Sequence, residues 1–208
     1  AIAKAVFRTH TNPFFSPDVF YPQGWYTASG AQPPWYLLLL TPITVVAGPV
    51  HTFNIATMTT FILAGFGVYR FVVRLGGRRP AGIVAGCVYI AAPMLTLRLG
   101  GHLNVLIASM FLPYAADSLH KTMSRPAEPL RSAPMARSLL QAGFFLAATI
   151  LGHWYFLFIA TLSLIAMAIF TPTPASWRIR LMRLALVGGI ALALLAPFAL
   201  LTWDARRT

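Results

Sequence analysis

The sequence predicts an all-α fold: a polytopic transmembrane helical bundle with an extracytoplasmic N-terminal loop and an interfacial or re-entrant helix. Composition is the first reason. Of 208 residues 58% are hydrophobic and only 10% charged, with a mean hydropathy of +0.70, values well outside those of soluble domains. The second reason is where the cations lie. Every dense cluster of arginine and lysine falls in one of three polar breaks, Arg70 to Arg79, Lys121 to Arg137 and Arg178 to Arg183. The third is that apolar stretches lie around and between those breaks, in segments of unequal length of which several match a bilayer crossing.

A formal charge of +12 invites a nucleic-acid reading, but such a footprint needs cations on a water-facing surface that follows phosphates. Here they sit at the ends of apolar segments, the pattern of positive-inside topology with contact to anionic lipid headgroups. Membrane lipid is therefore the expected partner, and nucleic acid is not. The single cysteine, Cys87, lies in the apolar run from Pro80 to Leu97. It excludes an intramolecular disulfide or a cysteine-based metal cluster and reads as a small packing residue.

The elements follow in order. Residues 1–33 are rich in Pro, Asn, Ser, Gly and aromatics and lack helical periodicity, so they read as an ordered, water-facing loop. The loop and the helix at 35–47 together make the extracytoplasmic section, residues 1–52, and residues 53–203 hold about six transmembrane helices. With all three cationic breaks on the cytoplasmic side, 53–73 runs inward, 81–97 outward and 103–119 inward. The stretch 138–171 must then cross twice, turning at Gly152-His153, and 181–203 exits. The segment at 35–47 cannot cross without reversing every later loop. With Pro33, Pro34 and Pro42 around it and Gly48-Pro49 at its end, it reads as the interfacial or re-entrant helix.

Under this topology five polar residues face outward. Asp18 is the only acid of the outer loop, set in NPFFSPDVFYPQGW. A carboxylate held between turns can act as a base or take part in binding a divalent metal ion; the alternative is an Asx-type turn. Arg98, His102 and Asn104 bracket a Gly-Gly turn in RLGGHLN, where several donors can clamp a lipid-linked phosphate. The alternative has Arg98 snorkelling and His102 or Asn104 capping the next helix. His153, in GHWYF, is the fifth, with a satisfied turn histidine as its alternative. Asp117 reads as a boundary charge pairing with Lys121 one helical turn on.

The run NPFFSPDVFYPQGW, the segment ending GPVHTFN, and then GGRRPAG, AAP and GHLN resemble polytopic integral-membrane glycosyltransferases of the C-type fold, over about residues 12–115. The resemblance implies transfer of a sugar from a polyprenyl-phosphate donor to an acceptor on the outer face of a bacterial plasma membrane, with Asp18 as a loop acid. It also implies that Arg98, His102 and Asn104 lie near the lipid phosphate. Such enzymes carry a key acid after a first span absent from this chain, so the chain reads as a fragment that begins inside a loop. Two other classes compete. A transporter or flippase would place ionisable groups near the bilayer midplane, and a non-catalytic scaffold would leave the outer groups without a shared site.

Overall fold

The fold is known from a computed structural model that describes residues 15–16, 25–26, 34–126, 129, 132–173 and 175–204. It is helical apart from two short strands, β1 (Phe15–Ser16) and β2 (Trp25–Tyr26). The helices are α1 (Pro34–Arg74), α2 (Arg79–Ile90), α3 (Pro93–Thr96), α4 (Leu103–Ser124), α5 (Ala133–Gly152), α6 (Tyr155–Phe170) and α7 (Trp177–Asp204). They form two compact units, residues 1–59 with 197–208, and residues 60–196. Among the described residues three helical stretches, Leu38–Arg74, Ala133–Gly152 and Trp177–Leu200, are long and apolar enough to cross a membrane, and α2 and α6 are shorter apolar helices.

In the first unit β1 and β2 pair antiparallel, Phe15 opposite Tyr26 and Ser16 opposite Trp25. Asp18 falls between them in sequence and outside the described residues. α1 is broken at Gly48, whose φ of 78° and ψ of 167° lie off the helical region. Glycine tolerates that geometry, and Pro49 can open the second stretch because the first turn of a helix leaves its N–H groups unused. Thr52 closes the new turn, its hydroxyl donating to the Gly48 carbonyl at 2.7 Å. The helix expected over 35–47 is therefore present as a separate stretch ending where Gly48-Pro49 placed it.

In the second unit the end of α1 packs on α2 through glycine. A Cβ on Gly86 would meet the Gly65 carbonyl oxygen at 2.6 Å, and one on Gly82 would meet the Tyr69 ring at 2.8 Å. Small residues four apart let two helix backbones approach closely, the usual mode of helix pairing where lipid removes the hydrophobic drive. Cys87 is exposed at the open groove beside this seam, which Gly65, Phe66, Tyr69 and Gly86 also line, and that exposure corrects its reading as a packing residue. The 81–97 stretch is not one continuous helix. α2 spans 12 residues and ends before Ala92, because Pro93 disfavours helical backbone in the residue before it and offers no N–H.

α4 is the hub. Leu103 through Met110 are all buried, and Leu119 and Met123 near its far end join Met135, Leu139 and Leu146 of α5, Leu164 of α6 and Val187 of α7 in one core. Pro113 inside α4 cannot donate to the carbonyl one turn back, that of Ser109. The Tyr89 hydroxyl of α2 donates to this carbonyl at 2.9 Å instead. The break expected in 138–171 falls at the predicted place, with α5 ending at Gly152 and His153 extended (φ −160°, ψ 134°). Gly152 is needed there because an added Cβ would lie 2.6 Å from the Ala108 backbone of α4. That contact brings the end of α5 against the start of α4.

Two arginines of the last cationic break are consumed by helix ends. Arg183, fully buried, donates from Nη1 to the carbonyls of Thr122 and Arg125 at 3.0 and 2.8 Å and from Nη2 to that of Pro126 at 2.6 Å. Thr122 belongs to the last turn of α4, whose carbonyls lack helical partners, and Arg125 and Pro126 to the chain leaving it; the helix dipole also favours a cation there. Arg180 does the same for α6, donating to Ala168 at 3.0 Å and Ile169 at 3.2 Å.

Candidate functional site at the start of α4

The connection from α3 to α4 with the first turn of α4, and the corner between α5 and α6, hold four of the five predicted site residues, Arg98, His102, Asn104 and His153. The Gly152–Ala108 contact draws the two regions together. Arg98 and His102 are exposed. The Arg98 carbonyl accepts from His102 N–H at 3.1 Å, and Gly101 makes the turn at a φ of 144° that glycine tolerates. His102 occupies the N-cap position of α4, yet its side chain makes no capping hydrogen bond. This removes the capping alternative for His102 and leaves its imidazole available at the surface. Asn104 is only 3% exposed, so it sits beneath this surface in the first turn of α4.

His153 is the best-defined member. It is 8% exposed, its ring lies 4.4 Å from that of Tyr155 and stacks on Trp154 at 6.2 Å, and its Nδ1 accepts from the Tyr155 N–H at 3.3 Å. Burial holds the imidazole below its ordinary protonation range, and the nearby Arg98 and His102 charges lower it further. With Nδ1 accepting, neutral His153 carries its proton on Nε2 and presents a donor. Arg98 and His102, some fifty residues earlier in sequence, thus act on His153, and together the three offer one fixed cation and imidazole donors. A set of that kind suits an oxyanion.

Asp18 lies outside the described residues. Among the described residues no three His, Cys, Asp or Glu side chains approach closely enough to hold a metal ion.

The sequence reading missed the partners of Asp117. Its carboxylate, 8% exposed in the side chain, is held by Arg74 through Nε and through Nη2 at 3.2 Å, with Arg70 at 3.6 Å. The i+4 neighbour Lys121 gives way to these because the end of α1 runs beside α4 at this point, and a guanidinium can grip both carboxylate oxygens.

Comparison of the chain with family models, with curated proteins and with solved structures finds no match.

Proposed function

We propose that this protein is a membrane glycosyltransferase that moves a sugar from a polyprenyl-phosphate donor to an acceptor on the extracytoplasmic face of a bacterial plasma membrane. The observation that carries the reading is the association of Arg98, His102 and His153, from two separate connections, at one end of a helix pair. In the transfer an acceptor hydroxyl bonds to the anomeric carbon as the bond to the phosphate oxygen breaks. The hydroxyl proton goes to a base, for which Asp18 is the candidate, and the electron pair leaves with the polyprenyl phosphate. Negative charge grows on that phosphate, so Arg98 and the Nε2–H of His153 stabilise the transition state more than the ground state.

The stretch ending at Gly48 fits an interfacial or re-entrant element, and the apolar faces of α1, α6 and α7 fit lipid. The transporter alternative draws less support. Buried Ser109 and Ser118 of α4 spend their hydroxyls on carbonyls of their own helix, at 2.8 and 2.6 Å, so they do not form a polar path through the bundle.

The test is transfer from a radiolabelled polyprenyl-phosphate sugar in membranes carrying the protein, comparing wild type with Asp18→Asn, Arg98→Ala and His153→Ala. Transfer lost in Arg98→Ala and His153→Ala at normal expression supports the site. Transfer unaffected by either substitution removes it, and no transfer by the wild type with any donor favours transport or scaffolding.

A further inference from the structure

The opposite end of the bundle holds a second concentration of charge, independent of the transferase reading. A cavity of about 650 Å³ opens where the end of α1, the end of α4 and the start of α5 meet. Five cations line it: Arg70 and Arg74 from α1, Lys121 and Arg125 at the end of α4, and Arg137 from α5. Among the described lining residues Asp117 is the one carboxylate, and it is already engaged by Arg74 and Arg70.

Positive-inside topology alone explains cations facing water near a bilayer, but it does not explain their convergence from three helices on one cavity. Like charges that converge repel one another. The Lys121 amine registers this: its proton is held less tightly than usual, first through burial and then through Arg74, Arg125 and Arg137, with Asp117 opposing. One wall is not charged. Tyr114 and Phe145 both line the cavity, and their rings stack at 5.4 Å. The volume is in the range of a ligand site rather than of a single ion.

We propose that this cavity binds a phosphate ester, its phosphate held by Lys121, Arg137 and the neighbouring guanidinium groups and its attached organic group lying against Tyr114 and Phe145. Arginine and lysine are the residues that take phosphate oxygens, and an aromatic wall accepts the ester's non-ionic part. The ester has two sources, the headgroup of an anionic phospholipid or a soluble organophosphate.

The experiment uses the whole chain in lipid nanodiscs. In one arm, discs of phosphatidylcholine mixed with phosphatidylglycerol are released for native mass spectrometry and retained phosphatidylglycerol is measured. In the other, glycerol 3-phosphate is titrated calorimetrically into discs of phosphatidylcholine alone. Wild type is compared with Lys121→Gln, Arg137→Gln, the double variant, and Arg78→Gln, which removes an exposed cation outside the cavity at the N-cap of α2. Each cavity substitution should weaken binding roughly fivefold and the pair roughly 25-fold, with Arg78→Gln near wild type. Should Lys121→Gln fail to fold, Arg137→Gln serves alone, since Arg137 is exposed in the second turn of α5. Retention in the first arm identifies a lipid, and heat in the second a soluble ester. No binding in either arm, or an equal loss in Arg78→Gln, overturns the proposal.

Discussion

The two ends of the α4–α5 pair are both polar, but they are built differently. At the start of α4, Arg98 and His102 are exposed and His153 lies just beneath them, a sparse set of donors held by tight turns. At the other end Arg70, Arg74, Lys121, Arg125 and Arg137 crowd around one carboxylate. α4 has 22 residues, which separates the ends by about 33 Å, close to the thickness of a bilayer's hydrocarbon core. The contrast teaches that abundance of charge and fitness for chemistry are separate properties. A transition state is stabilised by a few donors aimed at one developing charge, whereas a crowd of cations attracts phosphate without discriminating a transition state.

The comparison can be broken most severely at Arg183. Arg183→Leu strands the carbonyls that end α4 and should destabilise the charged end by about 3 kcal/mol or more, read as unfolding in mixed micelles. A loss below about 1 kcal/mol would mean that water caps the helix as well as the guanidinium does. At the sparse end, Arg98→Ala should lower the rate of sugar transfer by about 100-fold with little change in unfolding. An equal fall in stability would make Arg98 structural. Gly152→Val pushes a side chain into the Ala108 backbone and should cost about 2 kcal/mol; transfer should fall with it, because the contact that brings His153 to α4 is lost. Asp117→Asn loosens the grip of Arg74 and should cost about 1 to 2 kcal/mol while tightening phosphate retention, since one negative charge leaves the cavity.

The smallest effect is a pH dependence. His153 is protonated less readily in the fold than its ordinary value of 6.5. The unfolded chain therefore takes up a proton first as pH falls. Stability linked to His153 is complete above that value and is lost as pH falls through the lowered range. Wild type should lose stability over this interval in acid titration, and His153→Gln should lose less.

Much of this architecture could be read in the chain because membrane thickness constrains segment length. The 138–171 stretch is too long for one crossing and holds one glycine-histidine corner, so its break was legible; so was the end of a helix at Gly48-Pro49. Pairings across the fold were not. Asp117 has a cation four residues along its own helix, and that local signal hid Arg70 and Arg74, more than forty residues away. Arg183 looked like one more loop cation because its partners lie some sixty residues earlier. Pro113 in α4 hinted at a carbonyl in need of a donor, but nothing in its neighbourhood named Tyr89. That Arg98, His102 and His153 stand beside turns could be read from the Gly100-Gly101 and Gly152-His153 pairs. The electrostatic contact between the two turns depends on Gly152 seated on Ala108, which sequence spacing does not report.

The glycine seam between α1 and α2 has a practical consequence. Beside Gly86, Cys87 is exposed at the groove along that seam, and it is the only cysteine in the chain. The protein thus carries a single native attachment point for a spin label or an environment-sensitive dye, with no competing thiol to remove. A probe there would report the depth and fluidity of whatever surrounds the outer face of α2, so the membrane itself can be read from the unmodified sequence.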